Sequence, residues 1–175
     1  MEEVILVDKE NKAIGTMEKM EAHKKGLLHR AFSVFILNSK NEVLLQRRAF
    51  DKYHSGGLWA NTCCSHPRKN ETILLAANRR LFEEMGIECK LSKAFEFIYK
   101  AKLDNNLTEH EHDTVFIGIC DNLPEINLDE VCDFTYVSIN DLEIDIENNS
   151  DKYTFWLKAC FKNFKQYLDN IIKKD

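Results

Sequence analysis

Proline and glycine are scarce in this chain. Two prolines and six glycines among 175 residues provide no Pro/Gly-rich stretch long enough to serve as a linker, and no internal repeat divides the sequence, so one domain over 1–175 is expected. Long apolar runs are also missing. The opening MEEVILVDKE carries acidic flanks around an apolar run of only a few residues, a pattern expected of neither a signal peptide nor a membrane-spanning helix of roughly 20 apolar residues. A basic excess is the third absence. A net charge of −5 argues against nucleic acid or an anionic membrane as partner, so an anionic substrate has to be met by local cations. A cytoplasmic, monomeric protein acting on a small molecule is the expectation.

Six cysteines are present, but a chain of this length buries a core without disulfide staples, and the adjacent Cys63 and Cys64 are poorly placed to pair. Free thiols are expected. Cys120, Cys132 and Cys160 lie in apolar or helical contexts that suit packing, and of the six only Cys63 and Cys64 invite chemistry.

Val4–Val7 reads as a strand, and Ala31–Leu37 with Val43–Gln46 as a hairpin turned at 38–41. In 72–85 the apolar residues Leu74, Leu75, Leu81, Phe82 and Met85 recur at helical spacing, and Gly86 supplies a stop. Segments 95–101, 114–120 and 134–137 are rich in aromatic and β-branched residues and read as strands. A helix over 151–172, with a stripe of Phe155, Trp156, Cys160, Phe164 and Leu168, closes the chain on the sheet. The order of elements predicts an α+β domain.

In an extended stretch Cys64 and His66 project to the same side and can share a cavity. A structural zinc site on Cys63, Cys64 and a histidine is the alternative, although no second Cys or His pair stands at the usual close spacing. His23, His29 and His66 can join Glu109 and Glu111 around one divalent ion, since imidazole and carboxylate together suit zinc, manganese or iron. In Glu109-His110-Glu111-His112, alternation lets either the carboxylates or the imidazoles face such a site, and periodicity leaves that choice open. On the central helix Arg80 and Glu84 share a face while Glu83 points elsewhere. An ordinary helical ion pair competes there with a hard oxygen site for Mg²⁺ on a diphosphate. Among the basic residues Lys19, Arg47, Arg48, Lys52 and Arg80, the guanidinium forks of Arg48 and Arg80 are the best phosphate candidates.

Three motifs, Gly26-Leu-Leu-His-Arg-Ala-Phe-Ser33, Asn61-Thr-Cys-Cys-Ser-His-Pro67 and the Glu-x-Glu at Glu109 and Glu111, resemble the type I isopentenyl-diphosphate isomerases, a branch of the Nudix superfamily. The superfamily's helix motif is matched by Glu71, Arg79, Leu81, Glu83, Glu84, Gly86 and Ile87, with Ser65 in place of glycine and Arg80 in place of a glutamate. The Arg80 exchange removes a carboxylate from the usual hydrolytic magnesium cluster and suits the isomerase branch.

The resemblance implies a single Nudix-like domain, a mixed β-sheet sandwiched between α-helices. It implies a Mn²⁺ or Zn²⁺ ion held by His23, His29, His66, Glu109 and Glu111, so that the carboxylates and not His110 or His112 face the site. A Mg²⁺ near Glu84 would arrive with the substrate diphosphate, which Lys19, Arg48, Lys52 and Arg80 would contact. It further implies conversion of isopentenyl diphosphate to dimethylallyl diphosphate, an isoprenoid reaction with Cys64 and Glu111 moving protons. Tyr99 would assist, and Trp156 would stabilise a carbocation with its ring face. A Nudix hydrolase of a small or nucleoside diphosphate is the rival reading.

Overall fold

A computed structural model describes residues 2–172. Its centre is β3 (His29–Leu37), which pairs antiparallel with β1 (Glu3–Val7), β4 (Glu42–Arg48) and β6 (Cys63–Ser65), and parallel with β8 (Thr108–Ile119). β2 (Ala13–Glu18) extends the sheet beyond β1, while β5 (Trp59–Ala60) and β9 (Val131–Ser138) flank β4. β7 (Leu91–Lys102) lies antiparallel against β8. The sheet is therefore mixed, as expected.

β3 is buried on both faces, and its alternation separates two cores. Phe32, Val34 and Ile36 point toward α2 (Ile73–Met85), meeting Ala76, Ala77, Leu81 and Met85. Phe35 and Leu37 point the other way, toward Leu157, Cys160, Phe161 and Phe164 of α4 (Phe155–Ile172). The Phe35 and Phe164 rings stack at 4.0 Å. The helices thus sandwich the sheet. Among the described residues no helix is long and apolar enough to cross a membrane.

The β3–β4 hairpin turns where the sequence places it. Asn41 adopts φ 60° and its amide donates to the Asn38 carbonyl, a geometry that asparagine tolerates. α2 begins at Thr72, whose hydroxyl accepts from the Leu75 amide, and ends at Gly86, in the left-handed region at φ 65°. A Cβ on Gly86 would stand 2.7 Å from Glu125 Cβ and 2.9 Å from its carbonyl oxygen. We therefore expect Gly86→Ala to destabilise the protein by about 2 kcal/mol from left-handed strain and crowding together. An unchanged denaturant midpoint would show that the Glu125 segment yields freely.

Five strands and helices fall outside the predicted segments: β2, α1, the two-residue β5, β6 and α3. β2 carries Gly15 and is mostly exposed, so it shows no inward alternation. α1 (Lys19–Lys25) is seven residues rich in charge, with only Ala22 and His23 buried; Glu18 caps it by accepting from the Met20 and Glu21 amides. β6 has three residues. α3 (Ile139–Asn148) follows β9 directly, capped by Ser138, and only Leu142 is fully buried. The closing helix begins at Phe155, later than expected, because Ser150–Lys152 forms a separate 3-10 turn.

Candidate active site

α1 brings His23 to the site, the start of β3 brings His29, and the residue after β6 brings His66. All three rings are buried. The His23 Nδ1 hydrogen bonds to the Lys19 carbonyl at 2.7 Å and the His29 Nδ1 to the Leu27 carbonyl at 2.8 Å, which leaves each Nε2 free to face inward. The His29 and His66 Nε2 atoms lie 3.2 Å apart.

The fourth side of this cluster comes from β8. Glu109 and Glu111 are buried on its inward face, while His110 turns out and bonds the Gly26 carbonyl at 3.1 Å. The carboxylates, not His110 or His112, meet the histidines. Glu111 Oε1 lies 3.0 Å from His66 Nε2 and 3.6 Å from His29 Nε2, and its Oε2 accepts from the Tyr99 hydroxyl at 2.6 Å. Glu109 Oε2 is 3.0 Å from the same hydroxyl. One phenolic proton cannot serve both acceptors at once.

Burial opposes charge on both carboxyls, yet they separate. The His29 and His66 rings overcome burial at Glu111 and hold its carboxyl well below the ordinary range. Glu109 is pushed well above it, by burial and then by the charge of Glu111. Burial also lowers the imidazole of His66 to about 4, so that ring is neutral and offers a lone pair.

Donor atoms of His23, His29, His66 and Glu111 all lie within 4.8 Å of one another. His23 Nε2 is buried with no hydrogen-bond partner. Convergent lone pairs and an orphaned imidazole nitrogen fit a divalent ion, so this is a His/Glu cluster able to hold a metal. His54 was missed. Its ring is buried beside the cluster, its Nε2 lies 3.4 Å from Glu109 Oε1, and its donor groups with those of His23 and Glu109. It sits on the connection between β4 and β5, where no periodicity marks an inward residue.

A cavity of about 60 Å³ adjoins the cluster. Its walls include Cys64, His66, Tyr99, Glu109, Glu111 and Trp156, together with Lys19, Arg48, Lys52, Arg80 and Glu84. Arg47 is absent from the walls, because β4 alternation turns it outward over the Phe50 ring while Gln46 and Arg48 face in. The Arg48 guanidinium stands 5.1 Å from the Trp156 ring. Trp156 is buried against Ala60, Tyr99 and Ala101, so packing and cavity lining are combined in one side chain.

Cys64 is half-buried, and burial pushes its thiol well up, with Arg48 opposing and Glu84, Glu111 and Glu109 adding to the rise. Cys63 is fully buried in the core beneath α2. Arg80 bonds Glu84 at 2.6 Å and Glu83 at 2.8 Å and reaches Glu130 at 3.2 Å. Glu83 therefore does not point away from Arg80; the three-residue offset lets the long guanidinium span both carboxylates. The other Glu84 oxygen accepts from Gln46 at 2.8 Å, and Lys52 pairs with Glu130.

Residues 27–157 match the NUDIX domain family. An isopentenyl-diphosphate Delta-isomerase 2 from Aromatoleum aromaticum is 51% identical over 159 residues, covering 91% of this chain and 84% of the relative. A protein of that name from Photorhabdus laumondii is 53% identical, covering 90% of each. The isopentenyl-diphosphate Delta-isomerase of Pectobacterium atrosepticum is 49% identical over 165 residues, 94% of this chain and 92% of its own. Among solved structures, DR0079 from Deinococcus radiodurans superposes with a TM-score of 0.77 at 15% identity, covering 93% of this chain and 98% of that one. The MutT protein from Methanosarcina mazei does so with 0.65 at 18%, covering 79% and 94%. These two likenesses show the fold, and the sequence identities go further. The chain belongs to the isopentenyl-diphosphate Delta-isomerase family of NUDIX-domain proteins.

Proposed function

We propose that the protein converts isopentenyl diphosphate to dimethylallyl diphosphate in isoprenoid biosynthesis, with Cys64 and Glu111 as its acid and base. The observation that carries this reading is the pairing, on the walls of one cavity, of a thiol held in its protonated form with a carboxylate held ionised. Cys64 adds its proton to the terminal CH₂ of the alkene, and the π electrons form the new C–H bond, leaving a tertiary carbocation. Glu111 takes a proton from the neighbouring CH₂, whose C–H electrons form the new double bond. The proton then returns to the Cys64 thiolate, by way of Tyr99 or solvent, and the enzyme is restored.

Trp156 presents a π face to the cationic carbon, and burial of the site keeps water from capturing it. Tyr99 orients Glu111 by donating to its Oε2. Lys19, Arg48, Lys52 and Arg80 receive the diphosphate, exchanging present partners such as Glu2, Glu84 and Glu130 for phosphate oxygens. His23, His29, His66, Glu109 and Glu111 would hold Mn²⁺ or Zn²⁺, which when bound offsets the negative charge gathered by two buried carboxylates. Glu84 keeps lone pairs for a Mg²⁺ carried on the diphosphate. Six free thiols among the described residues support a reducing compartment such as the cytoplasm.

NMR in deuterated water tests the reaction class. With Mg²⁺ and Mn²⁺ or Zn²⁺ supplied, isopentenyl diphosphate is expected to give dimethylallyl diphosphate carrying deuterium in a methyl group, with no free phosphate. Release of phosphate would place the chain with the Nudix hydrolases instead.

A further inference from the structure

The ring of His54 is 4% exposed, and its surroundings leave one nitrogen without a partner. The His54 carbonyl accepts from Arg48 at 3.3 Å, and Nδ1 lies 3.3 Å from the Ser55 hydroxyl. Nε2 has no hydrogen bond and faces Glu109 Oε1 at 3.4 Å. An edge contact with Trp156, ring centres 5.7 Å apart, explains a flat ring at this place but not an imidazole. An unpaired buried nitrogen costs free energy that a phenyl ring would avoid.

Two sets of donors meet here, each within 4.8 Å internally: His23, His29, His66 and Glu111 in one, His23, His54 and Glu109 in the other. His23 is common to both. Its Nδ1 is committed to the Lys19 carbonyl, so Nε2 alone is available, and a single imidazole lone pair ligates a single ion. The two sets therefore centre on one ion. Opposite donors around a six-coordinate ion, at about 2.1 Å each, stand roughly 4.2 Å apart; each set lies within 4.8 Å internally but the six donors together do not, so His54 and Glu109 have to draw toward the other four when the ion binds.

We propose that His54 Nε2 is a sixth protein donor to this ion, closing its coordination sphere to water. The inference rests on the reading that His23, His29, His66, Glu109 and Glu111 hold one divalent metal. A fourth imidazole biases the site toward zinc and cobalt over manganese and magnesium, in the order that nitrogen donors favour. It also leaves the ion no position at which to bind substrate directly, so the diphosphate is left to the cationic side chains and its own magnesium.

The test compares wild type, His54→Ala, His54→Phe and His29→Ala. Folding is checked by circular dichroism, metal affinity by chelator competition with Zn²⁺ and Mn²⁺, and inner-sphere water by proton relaxation of the Mn²⁺ form. His54→Phe keeps the ring against Trp156 and removes only the donor. We expect either folded His54 variant to lose on the order of tenfold or more in Zn²⁺ affinity, and the Mn²⁺ form to gain an exchanging water that wild type lacks. If both His54 variants match wild type in affinity and relaxation while His29→Ala loses metal, His54 is not a ligand and the five-donor site stands. If His29→Ala also binds as wild type does, the metal reading itself fails, and this inference with it.

Discussion

Cys64→Ala is expected to lower turnover by about a thousandfold, the scale of a lost general acid, while leaving the fold intact. The thiol is half-buried on the cavity wall, so its removal opens onto space already present and costs less than about 0.5 kcal/mol. The neighbouring Cys63→Ala is the matching control. Cys63 is fully buried on the opposite face of β6, within the core under α2, where loss of sulfur costs about 1 kcal/mol of stability and touches no reacting atom. Steady-state rates and denaturant midpoints of the two variants should therefore cross over: one slow and stable, the other active and softer. A Cys64→Ala enzyme with ordinary turnover would remove the thiol from the mechanism.

Glu111→Gln is expected to be as damaging to activity and to act on two measurements at once. The amide preserves shape but carries no charge, so it cannot take the substrate proton, and it is a poor metal ligand. Turnover should fall by about a thousandfold or more, and affinity for Zn²⁺ or Mn²⁺ by on the order of a hundredfold. Assaying the variant at saturating metal separates the roles. If saturation restores turnover, Glu111 is a ligand without a proton-transfer role; if the rate stays low with the metal bound, the carboxylate is the base.

Much of this site was legible because β-strand chemistry writes itself into sequence. The alternation of 109–112 correctly offered two choices, and only the fold could choose, by placing Glu109 and Glu111 beside three imidazoles and sending His110 to the Gly26 carbonyl. The central helix was visible from its apolar spacing and from Gly86, the closing helix from its aromatic stripe. α1 was hidden because its seven residues carry a cap and charges but no apolar repeat, although it delivers His23. His54 was invisible for a related reason. It lies on an irregular connection where a residue's direction is set by distant contacts, here Arg48, Glu109 and Trp156, and not by its neighbours in sequence.

The register of the sheet has a further consequence. Tyr99, Glu111, His29 and Leu6 fall in one row across four strands, β7, β8, β3 and β1, with the β3–β8 step parallel. That step joins residues far apart in the chain, through the slowest kind of pairing for a polypeptide to find. A slip of one residue would turn Glu111 to the other face and leave His29 opposite His110 or His112. The same atoms that would carry catalysis thus act as a checkpoint on assembly: the ion can be gripped only by a chain whose β3 and β8 have already met in the right alignment.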